Sequence, residues 1–378
     1  MATGGMSATG GTSASGGTAS TGGSTNTRLI AKSIFAGYYH TYAKMSDASV
    51  ESWGDNASGQ LGNGAMTDST VPVTASGITD PIALAVGWRH ICAAVSGGTV
   101  QCWGNNGMYG DLGIGTTTPS LVPVTISGIT NAVALAAGEE YTCALVYGGT
   151  VRCWGGNIYG NLGNGTTATS FVPVTVSGLT NAVSIAASEV HTCAILNGGA
   201  VRCWGSNYQG ELGNGATTNS SVPVAVSGIT DAVALALGSH TCALLNGGTV
   251  QCWGNNFAGE LGNGTTTNSS VPVAISGITD AVAIAAGGGH TCALLGGGSV
   301  QCWGSNSYGE LGNGTTADSS APVTVPGITD AVALAAGRCH TCSLSNAGSV
   351  QCWGSNSNGQ LGNGTRTSSS VPVAVSGL

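Results

Sequence analysis

The chain has 378 residues, of which only 6% are charged and 65 are glycine, and its formal net charge is −8. Its eight basic residues are scattered, so it lacks the basic stripe of a nucleic-acid-binding surface and we expect no nucleic-acid partner. No stretch reaches the ~18 consecutive apolar residues of a membrane helix. The glycine content predicts a fold with many tight turns.

The first 27 residues differ in kind from the rest. Residues 1–27 are dominated by Gly, Ser, Thr and Ala, with no apolar run and no charge before Arg28. Such a segment has no surface to bury, which predicts a flexible tether ahead of a folded body at residues 28–378. It also lacks the basic stretch and apolar core of a signal peptide. We therefore expect an export signal or lipid anchor upstream of this sequence.

From residue 28 onward a unit of about 50 residues repeats seven times, marked by a Trp-Gly dipeptide. The spacing is 49 to 51 residues at Trp53, Trp103, Trp154, Trp204, Trp253, Trp303 and Trp353. A period near 50 with several short strands per unit is typical of a β-propeller rather than of a helical array. The predicted fold is all-β, a seven-bladed β-propeller. The sequence leaves open whether the two termini share one blade.

Each unit divides into four predicted strands, called A to D. In the sixth unit these are Ala281–Ala286, His290–Leu295, Ser299–Trp303 and Ala321–Val325. Strand A is rich in Ala, Val and Ile and suits the crowded position nearest the axis. Strand D contains a proline in every unit, and proline belongs on a sheet edge because it cannot donate to the ladder. We therefore expect A innermost and D outermost.

Strands B and C form a predicted hairpin with one cysteine on each arm. The two cysteines of a hairpin are symmetric about a three-residue loop, so they become directly opposed: Cys92 with Cys102, Cys143 with Cys153, Cys193 with Cys203, Cys242 with Cys252, Cys292 with Cys302, and Cys342 with Cys352. Opposed residues at a non-hydrogen-bonded site are close enough for a disulfide. Bound zinc is the weaker alternative, because nine residues separate each pair. Six disulfides would require an oxidising location: extracellular, periplasmic or cell-surface.

Two features break this pattern. The first unit has Tyr42 and Ser52 at the cysteine positions, and Ala48 where the other loops have a glycine suited to a left-handed conformation. Cys339 is an odd thirteenth cysteine without a partner at the hairpin spacing. It is interpreted as a free thiol, with a dimer linked through Cys339 as the alternative.

Three repeated positions invite a chemical interpretation. Strand B opens with a histidine in six units and with Tyr141 in the third. We interpret these side chains and the tryptophans as structural, because one packing solution repeated is simpler than six ligands. The residue before Leu-Gly is Gln, Asp, Asn or Glu, which suits an acceptor that caps a loop, with calcium as the alternative. No nucleophile elbow, phosphate loop or HExxH motif is present. We expect no catalytic residues, bound metal or cofactor.

Function is therefore sought where the repeats differ. Strands alternate in direction, so the A–B and C–D loops share one face of the disc, and these loops vary most. Their aromatic and charged residues are the candidate binding set, since rigid aromatic side chains commonly anchor protein interfaces. The set is Tyr38, Tyr39, Trp88, Arg89, Tyr109, Glu139, Glu140, Tyr159, Tyr208, Phe257 and Tyr308. The alternative is that such loop tips vary because nothing constrains them.

The repeat GxxHTCALxxGGxVxCWGxNxxGxLGNG resembles that of the regulator of chromosome condensation family, whose members are seven-bladed propellers. The paired cysteines and the tether make it similar to a secreted bacterial branch that includes a β-lactamase inhibitory protein. The founder is a nuclear nucleotide-exchange factor that binds nucleosomes. This chain departs from it in its negative charge, its cysteine pairs and its lack of a basic tail, so exchange activity is not expected.

The resemblance and the residues together predict a secreted or surface-tethered, non-enzymatic module that binds an unknown protein partner through the variable loops. Three alternatives remain: a β-lactamase inhibitor, an enzyme acting on cell-wall or polysaccharide material, and an adhesion scaffold. Binding is favoured over catalysis because catalysis needs an asymmetric polar cluster, whereas most acidic groups here repeat in register. Glu139 and Glu140 are the exception, being unique to one unit.

Overall fold

A computed structural model describes residues 29–378, which form 28 strands in seven four-stranded antiparallel sheets. The predicted tether at residues 1–27 lies outside the described residues. In every sheet the four strands pair in chain order, so each blade is one continuous segment and the termini do not share a blade. The seven-bladed propeller is confirmed. No helix in the described part of the chain is long and apolar enough to span a membrane.

The strands fall into four concentric sets, as predicted. The innermost strands A are β1 (Ala31–Ala36), β5 (Ala83–Val86), β9 (Ala132–Ala137), β13 (Ala182–Ala187), β17 (Ala232–Leu237), β21 (Ala281–Ala286) and β25 (Ala331–Ala336). Strands B are β2 (His40–Met45), β6 (His90–Ala94), β10 (Tyr141–Val146), β14 (His191–Leu196), β18 (His240–Leu245), β22 (His290–Leu295) and β26 (His340–Ser345). Strands C are β3 (Val50–Gly54), β7 (Val100–Gly104), β11 (Thr150–Gly155), β15 (Val201–Gly205), β19 (Val250–Gly254), β23 (Val300–Gly304) and β27 (Val350–Gly354). The outer strands D are β4 (Ser69–Thr74), β8 (Ser120–Thr125), β12 (Ser170–Thr175), β16 (Ser220–Ala225), β20 (Ser269–Ala274), β24 (Ser319–Thr324) and β28 (Ser369–Ala374).

All six predicted disulfides are present, each joining strand B to strand C of one blade. The bonded pairs are Cys92 with Cys102, Cys143 with Cys153, Cys193 with Cys203, Cys242 with Cys252, Cys292 with Cys302, and Cys342 with Cys352. The twelve side chains are fully buried. The alternative of zinc bound by these cysteines is therefore not the arrangement that the fold adopts, and Cys339 is left as a free thiol.

The hairpin geometry explains why the two cysteines meet. In the sixth blade the Leu295 amide donates to the Ser299 carbonyl at 2.9 Å and closes the hairpin. Counting three residues outward places Cys292 and Cys302 at a non-hydrogen-bonded pair, which agrees with their Cα–Cα distance of 4.0 Å. The bridges therefore lie inside single blades, and contacts of another kind join one blade to the next.

The repeated tryptophans supply those contacts. Each indole Nε1 donates to the backbone carbonyl of the residue before Leu-Gly in the preceding blade, at 2.8 to 3.0 Å, and all seven rings are fully buried. The glycine of Leu-Gly makes room for the ring: at Gly262, φ is +64° and a Cβ would come within 2.7 Å of Trp303 Nε1. The Trp-Gly and Leu-Gly motifs are thus the two sides of one interblade contact.

The repeated histidines reinforce the same seam. His Nε2 lies 2.5 to 2.9 Å from a threonine Oγ1 of the following blade at His90, His191, His240, His290 and His340. Thr241 donates its own proton to the Glu211 carbonyl at 2.9 Å, so His191 must be the Nε2–H donor. In the third blade the Tyr141 hydroxyl donates to the His191 carbonyl and accepts from Thr192. The structural interpretation of this position is confirmed.

The seam between the first two blades departs from this scheme. Ile91 stands where the partner threonine would be, and neither ring nitrogen of His40 has a hydrogen-bond partner. Tyr42 takes the place of a cysteine, and its hydroxyl donates to the Gln60 carbonyl. That carbonyl also accepts from Trp103 at 3.0 Å. The tryptophan contact is therefore kept at this seam while the histidine contact is lost.

A proline also changes the loops at this seam. Elsewhere the third residue of the B–C loop accepts a hydrogen bond from the first residue of the next strand A, as Gly98 does from Ala132 at 2.9 Å. Pro81 replaces that donor, so the Asp80 amide donates to Ala48 instead, at 2.8 Å. Both residues of this bond have positive φ, +49° at Asp80 and +70° at Ala48. A cleft of about 320 Å³ opens beside it.

We predict opposite stability changes at this loop position in two blades. Ala48→Gly should raise the free energy of unfolding by about 0.5 kcal/mol, because glycine adopts positive φ without the ~1–2 kcal/mol cost of other residues and loses part of that gain as chain entropy. Gly248→Ala should lower it by about 2 kcal/mol or more, since φ is +85° there and a Cβ would lie 2.9 Å from Asp280 Cα. Urea unfolding of both variants measures the difference; two changes of the same sign would contradict it.

The buried histidines predict an acid-sensitive fold. Burial lowers the pKa of His191 and His240 to about 3 and that of His290 to about 4, below the ~6.5 of an unfolded chain. A histidine whose folded pKa is depressed contributes its full stability above pH 6.5 and loses it as the pH falls towards 4, because only the unfolded chain takes up the proton. Buried glutamates with raised pKa, such as Glu211, oppose this loss at the acidic end.

The third blade already has a tyrosine at the histidine position. Exchanging histidine and tyrosine between blades therefore isolates the contribution of one histidine to acid sensitivity. His290→Tyr, which copies Tyr141, should reduce the loss of unfolding free energy between pH 6.5 and 4 by about 1.4 kcal/mol per pH unit, the effect of one proton. Tyr141→His should increase it by a similar amount. Urea unfolding at several pH values measures both slopes, and slopes equal to that of the unaltered chain would show that these histidines are not held neutral.

Candidate functional site

The A–B and C–D loops lie together on one face, which we call the variable face. In six of the seven blades the residue after strand C donates its backbone N–H to the carbonyl of the last residue of the A–B loop, as Asn105 does to Arg89 at 2.7 Å and Gly156 to Glu140 at 2.7 Å. The two loops of a blade are therefore tied side by side. The predicted placement of these loops on one face agrees with this bonding.

The A–B loops meet around the axis and enclose a small cavity of about 90 Å³, which we call the mouth. Its wall consists of apolar residues from the ends of strands A, and its rim is formed by Tyr38, Ser188, Glu189, Gly238, Gly288 and Arg338. Neighbouring loops are joined through their backbones: Glu139 donates to Glu189, Gly288 to Arg338, and Arg338 to Tyr38. The rim side chains therefore stand on a rigid frame.

An aromatic cluster flanks the mouth on the first two blades. The ring of Tyr38 lies 6.1 Å from that of Tyr39 and 5.9 Å from that of Trp88. Two guanidinium groups cover these faces: Arg338 at 5.1 Å from the Tyr38 centroid and Arg89 at 4.3 Å from that of Trp88. Trp88 and Tyr39 are partly exposed, whereas Tyr38 is only 9% exposed. Tyr38 is thus a buried part of the rim rather than a displayed anchor.

Three carboxylates stand on the third and fourth blades. Burial raises the pKa of Glu139, the Glu189 and Glu140 carboxylates raise it further, and Arg338 offsets part of the change. Burial also raises the pKa of Glu140, against the effect of Arg89. The surface around the mouth is therefore acidic on one side and aromatic with arginines on the other.

The remaining predicted aromatics lie on the C–D loops, farther from the axis. Tyr208, Phe257 and Tyr308 are 63%, 70% and 52% exposed. Tyr159 is partly buried and meets Tyr208 edge to face at 6.0 Å between centroids. Tyr109 is also partly buried, beside Gly156 of the next blade. The predicted binding set therefore separates into an inner group at the mouth and an outer arc of exposed rings.

The residue before Leu-Gly caps its loop, as predicted. Its side-chain oxygen accepts from the backbone N–H two residues earlier, as Glu260 does from Ala258 and Glu310 from Tyr308, both at 2.8 Å. Asp111 is the exception, because its loop is longer: one carboxylate oxygen accepts from Asn105 at 2.9 Å, and the other is buried without a partner. Burial, with Glu140 nearby, raises the pKa of Asp111 to about 8.

Two rim residues were not singled out by sequence reasoning, namely Glu189 and Arg338. Both lie in A–B loops whose variability was noted, but no motif marks them, and their proximity depends on ring closure between distant blades. Residues 29–378 contain no group of three or more His, Cys, Asp or Glu side chains arranged to hold a metal ion. The site is thus an aromatic and charged surface around a shallow axial cavity.

Blades of this repeat, joined by tryptophan and histidine contacts, define a propeller of the RCC1 type. The RCC1-like domain model matches residues 116–378, and two models of the regulator of chromosome condensation (RCC1) repeat match residues 47–94 and residues 31–60 and 82–110. The chain belongs to the regulator of chromosome condensation (RCC1) family.

Curated relatives match part of the chain. It is 36% identical to the ultraviolet-B receptor UVR8 of Arabidopsis thaliana over 129 residues, which are 33% of this chain and 29% of the plant protein. It is 30% identical to the human E3 ubiquitin-protein ligase HERC2 over 128 residues, 32% of this chain and 3% of that protein. The match thus spans less than a third of either relative.

Solved structures share the fold. Human WBSCR16 superposes with a TM-score of 0.79 at 22% identity, covering 87% of this chain and 94% of that one. Yeast RCC1 (Prp20), solved bound to Kap60, superposes with a TM-score of 0.76 at 20% identity, covering 97% and 91%. At this identity the likeness establishes the fold alone.

Cys339 is the one free cysteine of the described residues and stands beside Arg338, partly buried. Burial raises the pKa of its thiol to about 11, with Glu310 adding to the rise and Arg338 opposing it. The thiolate is the reactive species, so this environment disfavours the disulfide exchange that dimerisation through Cys339 would need.

We predict that Cys339 is the only cysteine that can be alkylated without reductant, and that it reacts slowly. At neutral pH its alkylation should be at least about 100-fold slower than that of an ordinary thiol of pKa ~8.5, and the rate should rise about tenfold per pH unit as far as the pKa. Intact-mass analysis of iodoacetamide labelling without reductant measures this, with the urea-unfolded, non-reduced chain as the control. Rapid labelling of the folded chain, or a second labelled cysteine in the control, would contradict the assignment.

Proposed function

We propose that this chain is a non-enzymatic protein-binding propeller that acts through its variable face. The observation that supports this is the asymmetry of the disc. The four strands and their packing are nearly identical in the seven blades. The loops of the variable face, by contrast, present partly exposed rings at Tyr39 and Trp88 and exposed rings at Tyr208, Phe257 and Tyr308. Rigid aromatic side chains with charged neighbours are typical of interface hot spots.

A structural relative of the same family binds other proteins. Yeast RCC1 (Prp20) was solved bound to Kap60, and its binding to Gsp1p and histones has been studied. We infer protein binding for this chain as well, but with a different partner. Its formal charge of −8 and the carboxylates on one side of the mouth favour a partner with a basic or aromatic surface over nucleic acid or histone-bound DNA.

The disulfides support a location outside the reducing interior of the cell. Twelve of the 13 cysteines are paired and fully buried within blades. Short loops of this kind contribute a little under ~3 kcal/mol each in the entropic model, and they persist only where glutathione and thioredoxin do not reduce them. We therefore propose a secreted or surface-tethered protein.

The small size of the mouth weighs against the polysaccharide-enzyme alternative. Its volume is about 90 Å³, whereas sites for small-molecule substrates usually measure ~300–1,000 Å³. The carboxylates around the mouth, Glu139 and Glu140, are each opposed by an arginine, Arg338 and Arg89 respectively, rather than forming a carboxylate pair that flanks an open cleft. A shallow cavity of this size fits one side chain of a docked protein.

The proposal predicts that binding depends on the variable face. For a partner recovered by pull-down from the native secretome and identified by mass spectrometry, Trp88→Ala or Tyr39→Ala should weaken affinity about 30-fold, the effect of ~2 kcal/mol at a hot spot. Matched substitutions of exposed residues on the opposite face, Asn246→Ala and Thr279→Ala, should change affinity less than about twofold. Calorimetric titration of each variant measures the loss.

Two outcomes would count against this proposal. Equal sensitivity of both faces, or binding that maps to residues 1–27, would refute the assignment to the variable face. The β-lactamase-inhibitor version needs its own assay: a panel of β-lactamases titrated with micromolar propeller should show inhibition that falls with Trp88→Ala. If no enzyme is inhibited, that version is wrong while the binding-module proposal stands.

A further inference from the structure

We propose that the cleft between the first two blades binds a small organic carboxylate, with both lysines of the chain at its anionic end. We call it the seam cleft, and its lining includes Lys32, Ser33, Phe35, Lys44, Asp80 and Ile82. It lies among the B–C and D–A loops, on the face opposite the variable face, so this inference does not depend on the proposed protein-binding function. Three observations carry it: the placement of the lysines, one charge that no described contact uses, and the size and mixed lining of the cleft.

The lysines stand where the other blades have apolar residues. The chain contains two lysines, and both line the seam cleft. Lys32 stands at the bulge of β1, and Lys44 lies in β2. The residues at the position of Lys32 in the other six blades are Ile82, Val133, Val183, Val233, Val282 and Val332, and those at the position of Lys44 are Ala94, Leu145, Ile195, Leu244, Leu294 and Leu344. Two exceptions to an apolar pattern that meet at one cleft indicate a local use for positive charge.

Lys44 is held in place by the second blade. Its Nζ lies 2.7 Å from a carboxylate oxygen of Asp80 and donates to the Pro81 carbonyl at 3.0 Å. An ammonium group has three N–H donors, so one remains for a ligand. The side chain is only 26% exposed, and its two contacts fix the ammonium group before any ligand arrives. A preorganised donor of this kind lowers the entropic cost of binding.

Lys32 has no such structural role. It is exposed, and no ion pair or hydrogen bond joins its ammonium group to another residue within 29–378. Of the described residues that line the cleft, Asp80 is the one acidic side chain. Asp47, in the neighbouring B–C loop, does not line it and accepts from Ser49 at 2.6 and 3.0 Å. Two lysines and one aspartate give the lining a net charge of +1, in a chain whose formal charge is −8.

The dimensions and apolar wall of the cleft define the rest of the ligand. Its volume is about 320 Å³, at the lower end of the ~300–1,000 Å³ of small-molecule sites. Phe35, Met45 and Leu84, which are buried, and Ile82, which is 54% exposed, supply the apolar lining. A hydrocarbon group laid against Ile82 would remove apolar surface from water.

Together these features select a monoanion with an apolar group. A cation would meet two ammonium groups at close range, which is unfavourable. A phosphate ester, as a dianion, would exceed the net charge of the lining, and acetate would leave the apolar wall uncovered. A molecule such as 3-phenylpropanoate satisfies both ends of the cleft.

Lysine-selective isotope labelling reports directly on this site, because the chain has no lysine elsewhere. In NMR titrations of the labelled full-length chain, both lysine signals should shift with 3-phenylpropanoate and give one dissociation constant in the millimolar range. The neutral 3-phenylpropanamide and the cationic 3-phenylpropylamine should bind at least about tenfold more weakly, because neither carries a negative charge. Acetate should also bind at least about tenfold more weakly, because it lacks the apolar group.

Substitutions copied from other blades localise the effect. Lys32→Val should weaken 3-phenylpropanoate binding about fivefold, the loss of one exposed ion pair. Lys44→Leu should weaken it at least about tenfold, since a charged hydrogen bond is also lost. The matched control is Arg202→Gln, which removes a positive charge at a position that is glutamine in four other blades, and it should change affinity less than about twofold. In each lysine variant the remaining lysine signal measures binding, and thermal melting verifies folding.

Several results would overturn the inference. These are equal binding of the acid and its amide, equal binding of acetate, unshifted lysine signals, full affinity in Lys32→Val, or tighter binding of 2-phenylethyl phosphate than of 3-phenylpropanoate. The two faces are tested separately: Trp88→Ala should leave carboxylate binding unchanged, and Lys32→Val should leave capture of the secretome partner unchanged. Failure of the carboxylate site is therefore distinguishable from failure of the proposed function.

Discussion

The fold depends on one hydrogen bond repeated around the ring, from a tryptophan indole to the backbone carbonyl of the preceding blade. All seven are present, and each lies beside a glycine whose place no residue with a Cβ could take without a clash. A buried indole N–H without a partner is costly, so the bond fixes the distance and rotation between blades. Histidine and threonine add a second contact in most seams, and the disulfides stiffen the blades without joining them.

The seam between the first two blades shows which of these contacts is dispensable. It lacks the histidine–threonine bond, the regular loop hydrogen bond and the disulfide of the first blade, yet Trp103 still reaches Gln60. Tyr42 fills part of the volume with a ring and adds a donor to the same carbonyl. One seam with fewer contacts is tolerated because the other six close the ring around it.

Much of the fold could be predicted from the sequence because repetition multiplies the signal. Blade number, strand order, disulfide pairing and the structural role of the histidines each followed from a pattern seen six or seven times. The exposed Val282 at the second position of β21 was not foreseen, because a bulge between Ala281 and Ala283 turns it out of the ladder. Such a local irregularity leaves no mark in composition or periodicity.

The site was harder to predict, for the same reason. Its residues occur once each, so no pattern supports them, and their meeting at the mouth depends on blades far apart in sequence. The aromatic residues were identified by type and loop position, but sequence could not show that Tyr38 would be buried while Phe257 would be exposed. Nor could it pair Arg338 with Glu189, which approach each other only across the closed ring.

The short span of each disulfide bears on how the chain acquires its bridges. Every bridge joins cysteines ten positions apart, while the next hairpin is some 40 residues away, so loop-closure entropy favours the native partner over the cysteines of every other hairpin. With 13 cysteines the number of ways to form six pairs and leave one free is on the order of 10⁵. Emerging hairpin by hairpin, the chain needs an oxidant but little isomerisation in the first five of these hairpins, where the first unpaired cysteine that each thiol meets is the correct one; only in the last does Cys339 stand nearer to Cys342 than its partner does.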